Sequence, residues 1–123
     1  MTRILVADDD GAVRTALERG LASKGFHVTA VANGAQALDA LSGGAFDLVV
    51  TDINMPTMDG IELLLRLVEE GDGVKVIAIS GGGLFPKEEL LTDARLLGAV
   101  DVLEKPFDLS TIVERVERAL SDR

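Results

Sequence analysis

Apolar residues in this chain fall into five short blocks, each followed by a stretch with helical spacing. Arg3 to Ala7, Leu48 to Thr51 and Val74 to Ile79 are nearly continuous in apolar character, the pattern of strands covered on both faces. Phe26 to Val31 alternates more and reads as a strand nearer an edge, and Val100 to Leu103 is a fifth strand. Between and after these blocks the apolar positions recur every three to four residues. They are Val13, Ala16, Leu17 and Leu21; then Ala37, Leu38 and Leu41; then Ile61, Leu64, Leu65 and Val68. A fourth set is Leu90, Leu91, Ala94 and Leu97, and a fifth is Leu109, Ile112, Val113, Val116 and Leu120. Punctuation agrees with the periods. Gly25 suits the C′ position of the first helix, Gly34 opens the second and Gly43-Gly44 close it. Pro86 suits the first turn of the fourth helix, Gly98 ends it, and Asp108 or Ser110 can cap the last.

Strand then helix, five times over, predicts an α/β fold. The expected form is a doubly wound, five-stranded parallel sheet with right-handed crossovers and helices on both faces. In such a sheet every strand ends on the same edge, and ligands bind in the crevice outside those carboxyl ends.

Composition narrows the function classes. The chain has 123 residues, the size of one domain, and is 47% hydrophobic. Its net charge is −9, with no basic run, and aromatic residues make up 3%. Phosphate-backbone binding rests on Lys and Arg, and base stacking rests on aromatic rings, so direct nucleic-acid binding is not expected. Cysteine is absent, which removes disulfides, thiolate metal sites and Cys nucleophiles. No signal peptide fits Met1 to Ala7, and no apolar run approaches the ~20 residues needed to insert into a membrane. A soluble, cytoplasmic protein is expected, with residues 1–123 forming one domain and no separate output domain.

The strand ends carry the chemistry. The first strand runs into Asp8-Asp9-Asp10, the third into Asp52, the fourth into Ser80 and the fifth into Lys105. Each has a plain alternative: Asp10 as a helix cap, Asp52 as a turn aspartate, Ser80 as a strand-end hydroxyl, Lys105 as a surface lysine. Their convergence on one edge points further. Carboxylates of Asp8, Asp9 and Asp52 in one pocket repel one another, and a divalent cation resolves the conflict. Oxygen-only donors suit Mg²⁺. A carboxylate flanked by Mg²⁺ and an ammonium can attack phosphorus and form an aspartyl phosphate. Positioning and charge neutralisation supply most of what phosphoryl transfer needs. Lys105 carries charge for that purpose, and Ser80 can donate to a phosphoryl oxygen.

Ile4-Leu5-Val6-Ala7-Asp8-Asp9-Asp10, Asp52-Ile53-Asn54-Met55-Pro56-Thr57-Met58-Asp59-Gly60, Ser80-Gly81 and Lys105-Pro106-Phe107 together resemble the response-regulator receiver domains of two-component signalling, as in single-domain chemotaxis receivers. The resemblance runs along the whole chain. It implies the strand order 2-1-3-4-5 and a flavodoxin-like (βα)5 three-layer sandwich. It implies phosphorylation of Asp52 by a histidine kinase or a histidine phosphotransfer protein, and a change in affinity for a downstream protein partner. It makes the chain a signalling receiver rather than an enzyme, one that promotes its own phosphorylation and dephosphorylation. Asp9, Asp52 and the main-chain carbonyl of Asn54 would bind Mg²⁺, with Asp8 acting mainly through a metal-bound water. Lys105 would pair with the phosphoryl group, Ser80 would move to it on activation, and the Lys105-Pro106 bond would be cis. A monomer or weak dimer is expected.

Two features depart from the family pattern. Three residues before the lysine the family usually has Tyr or Phe, and this chain has Val102. Ser80 is followed by Gly81, Gly82 and Gly83, a looser loop that lacks the GxxxxGK[ST] pattern of a nucleotide P-loop. Two rival readings are a phosphatase of the haloacid-dehalogenase type and a phosphate-independent pseudo-receiver. The first needs a second acid where Asn54 stands, and the second would lack acids or the lysine. Lone His27 beside Phe26 reads as a solvated residue.

Overall fold

The computed structural model describes residues 2–53, 66, 74–80 and 98–121. The elements are β1 (Arg3–Ala7), α1 (Gly11–Ala22), β2 (His27–Val31), α2 (Gly34–Gly43), β3 (Leu48–Asp52), β4 (Lys75–Ser80), β5 (Asp101–Glu104) and α3 (Leu109–Ser121). The strands form one parallel sheet in the order β2-β1-β3-β4-β5. The predicted helices at Ile61–Val68 and Leu90–Leu97 lie outside the described residues, apart from Arg66, which is helical.

The strand sequences explain the layering. Side chains alternate across a pleated sheet, so Ile4, Val6, Leu48, Val50, Ile77 and Ile79 enter one core, against Leu17 and Leu21 of α1 and Ile112, Val113 and Val116 of α3. The intervening Leu5, Ala7, Val49, Val76 and Ala78 enter a second core on the other face, with Ala37 of α2. Both faces being covered accounts for the unbroken apolar runs of β1, β3 and β4. β2 is the edge strand its alternation predicts, and His27 at its start is exposed.

Predicted boundaries move by a residue. β4 and β5 each start and end one residue later than the apolar pattern suggests, and β3 extends to take in Asp52. Gly25 lies one position beyond C′, because α1 is capped at Ser23; its φ of 91° is the left-handed turn that releases the chain into β2. Gly98, at φ 114°, is likewise in the left-handed region, shortly before β5. α1 and α3 meet closely at Gly20. A Cβ there would lie 2.8 Å from Cγ of Leu109, so only glycine fits beneath that side chain as it stands.

Candidate phosphoacceptor and cation site

Asp52 is the last residue of β3 and 4% exposed, and Asp8 directly follows β1 and is fully buried. Registers carry the neighbouring strand ends to the same edge: Ala7 lies beside Thr51, Asp52 beside Ile79 and Ser80 beside Glu104. The amide of Ile53 donates to the carbonyl of Ile79 at 2.9 Å, extending β3–β4 pairing past Asp52. The amide of Lys105 donates to the carbonyl of Ser80 at 2.7 Å, which ties the lysine backbone to the end of β4. Asp52 therefore stands at the centre of a fixed edge.

Lys105 Nζ sits between two buried carboxylates. It donates to Asp52 Oδ2 at 2.9 Å and lies 2.8 Å from Asp8 Oδ2. The second contact is an ion pair without hydrogen-bond alignment, so Asp8 Oδ2 has no directed donor among the described residues. Burial pushes the Lys105 ammonium towards a lower pKa, but the paired carboxylates of Asp8 and Asp52 outweigh it and hold the pKa above the ordinary lysine value. Lys105 is therefore a firm cation at neutral pH.

Asp9 is exposed, yet its carboxylate joins those of Asp8 and Asp52, with one oxygen of each within 4.8 Å of the others. Three carboxylates, a buried oxygen lacking an aligned donor and no thiolate make a hard-oxygen set that fits Mg²⁺. Asp10 does what its plain reading foresaw: Oδ1 accepts from the amides of Ala12 at 3.0 Å and Val13 at 3.3 Å, capping α1. Ser80 is fully buried at the end of β4, and among the described residues its hydroxyl has no hydrogen-bond partner. Buried hydroxyls are seldom left so. The Lys105-Pro106 peptide is cis. Asn54 and Gly81 to Gly83 lie outside the described residues. Val102 is half-buried against the second core.

Two pairings escaped the sequence reading. Arg14 Nη1 donates to the carbonyl of Asp8 at 2.8 Å. Arg115 Nη1 reaches both carboxylate oxygens of buried Asp101, at 2.7 and 2.8 Å, locking α3 to the start of β5. A charged residue opening an apolar strand was the available signal for the second.

A doubly wound parallel sheet with acids and a lysine at its carboxyl edge defines a flavodoxin-like α/β protein with a polar site at the strand ends. The family model for the response regulator receiver domain matches residues 4–117. The response regulator receiver protein CpdR of Brucella abortus is 41% identical over 120 residues, which are 98% of this chain and 98% of that protein. The transcriptional regulatory protein FixJ of Bradyrhizobium diazoefficiens is 42% identical over 117 residues, 95% of this chain but 56% of FixJ. The solved receiver domain of NtrX from Brucella abortus matches with a TM-score of 0.90 at 31% identity, covering 98% of this chain and 99% of that one. The chain belongs to the response-regulator receiver family of two-component signalling, whose general property is phosphorylation on an aspartate. Among the described residues no helix is long and apolar enough to cross a membrane.

Proposed function

We propose that Asp52 is the phosphoacceptor of this receiver, and that phosphorylation there changes its affinity for a protein partner. The observation that supports this most is the Lys105 ammonium held between Asp8 and Asp52, at 2.8 and 2.9 Å, on an edge that also carries Asp9 and a buried Ser80 hydroxyl without a hydrogen-bond partner among the described residues. Of the acids that share Lys105, Asp52 ends the central strand. A carboxylate oxygen of Asp52 attacks the donor phosphorus, the new O–P bond forms as the donor's P–N or P–O bond breaks, and the electron pair leaves with the donor. The donor is a phosphohistidine on a histidine kinase or phosphotransfer protein, or a small acyl phosphate.

Asp8, Asp9 and Asp52, with the Asn54 carbonyl carried over from the family pattern, would hold Mg²⁺. When bound, the ion supplies charge that offsets the phosphoryl oxygens. Lys105 shifts its ammonium from the carboxylate pair to a phosphoryl oxygen, and Ser80 donates its hydroxyl to another. Hydrolysis reverses the attack: water adds to phosphorus and the Asp52 carboxylate leaves. The chain thereby promotes both its own phosphorylation and its dephosphorylation. With a net charge of −9, it engages a protein rather than nucleic acid.

Incubation with Mg²⁺ and a small acyl phosphate separates this reading from its rivals. One phosphoryl group per chain, by intact mass, is expected. Steady turnover without a covalent product would indicate a phosphatase, and neither product would indicate a phosphate-independent binding module.

A further inference from the structure

Asp8 is held from every side. Its amide donates to the carbonyl of Val31 at 3.2 Å, its Oδ1 accepts from the amide of Asp10 at 2.9 Å, and its Oδ2 pairs with Lys105. Asp10 is fixed by capping α1. Asp9, between them, is exposed, and among the described residues its side chain makes no hydrogen bond. Its carboxylate still lies in the cluster with Asp8 and Asp52. What places it is therefore its backbone. The peptide linking Asp8 to Asp9 is planar, so fixing its oxygen fixes the plane from which Asp9 projects. That oxygen is where Arg14 Nη1 donates, at 2.8 Å, from one turn inside α1.

We propose that Arg14 is a positioning residue for divalent-cation binding: by holding the Asp8 carbonyl, its guanidinium sets the Asp8–Asp9 peptide and so the place of the Asp9 carboxylate. The inference rests on the reading that Asp9 is a cation ligand. It predicts the opposite of simple electrostatics. A guanidinium beside an acidic site repels an incoming cation, so by charge alone its removal should tighten binding. By positioning, its removal should weaken binding, because groups that orient a ligand typically account for about 10- to 100-fold in metal affinity.

Mg²⁺ is titrated by calorimetry into the whole chain as wild type, Arg14→Met, Arg14→Lys and Asp9→Ala. In the same proteins without Mg²⁺, the Asp9 amide nitrogen shift reads the peptide directly. Expected are Mg²⁺ binding about 10-fold weaker in Arg14→Met, a displaced Asp9 amide signal, and partial recovery of both in Arg14→Lys, which keeps a donor and the charge. Arg14→Gln replaces Arg14→Met should the latter not fold. Wild-type or tighter affinity in Arg14→Met, or an unmoved Asp9 amide, overturns the proposal. If that occurs while Asp9→Ala has lost affinity, the positioning inference alone fails. If Asp9→Ala binds Mg²⁺ like wild type, the ligand reading fails, and the inference with it.

Discussion

Replacing Lys105 by methionine keeps the length of the side chain and removes the charge that separates two buried acids. The closest oxygens of Asp8, Asp9 and Asp52 lie within 4.8 Å of one another. At an effective dielectric of about 20, two unit charges at that distance repel by about 3 kcal/mol. Breaking a buried pair generally costs about 3–5 kcal/mol. The Lys105 side chain is 18% exposed, so water softens the loss and the lower end applies. Lys105→Met should therefore lower unfolding free energy at neutral pH by about 3 kcal/mol. A receiver of this size, with roughly 5–15 kcal/mol in hand, stays folded. Because the cost arises from carboxylates left facing each other, it should be coupled to their charge. In an Asp52→Asn background the same lysine substitution should cost only ~1–2 kcal/mol, since one charged partner is already gone. Urea unfolding of the four proteins without divalent cations gives the cycle, with unchanged denaturant slopes showing that the unfolded state is comparable. Added Mg²⁺ should restore part of the Lys105→Met deficit. Equal costs in the two backgrounds would refute the reasoning, because Lys105 would then stabilise the fold by packing alone.

Further outcomes follow from the same geometry. Asp9→Ala deletes a proposed ligand and relieves repulsion together, so Mg²⁺ affinity by titration should fall sharply while the metal-free protein becomes no less stable. Lys105 has a raised pKa in the folded chain, so its contribution is complete below the ordinary lysine value of 10.5 and lost as pH climbs through the higher folded value. Wild type should lose stability in that alkaline range relative to Lys105→Met, in a chain with no Tyr or Cys to titrate beside it. Gly20→Ala should destabilise by about 1–3 kcal/mol through overlap with Leu109; Leu109→Ala in the same chain should return most of that loss in thermal unfolding.

The strand-end constellation was legible because strand ends in a parallel sheet need only order and period to be located. Asp8, Asp52, Ser80 and Lys105 each close an apolar run, and the structure brings them to one edge. The strand order came from the family resemblance, since periodicity carries no information about which strands are neighbours. Arg14 and Asp101 were not legible for a different reason. Arg14 sits on a helix where an arginine is ordinarily solvated, and its partner is a main-chain carbonyl, which leaves no trace in composition. Asp101 takes its counter-charge from Arg115 on another element, a pairing that only the packing of α3 on β5 creates. The one-residue extensions at the ends of β4 and β5 have a common cause: Ser80 and Glu104 are polar, yet they pair with each other as strand residues across the ladder.

The central claim is that Asp52 receives the phosphoryl group, and reductive trapping tests it most directly. The wild-type chain is labelled with a small acyl phosphate and Mg²⁺, then treated with borohydride, which converts an aspartyl phosphate to homoserine, and digested for peptide mass spectrometry. The account predicts homoserine at position 52 alone, and no label in Asp52→Asn. Homoserine at position 8 or 9 in the wild type, or undiminished labelling of Asp52→Asn, would contradict it.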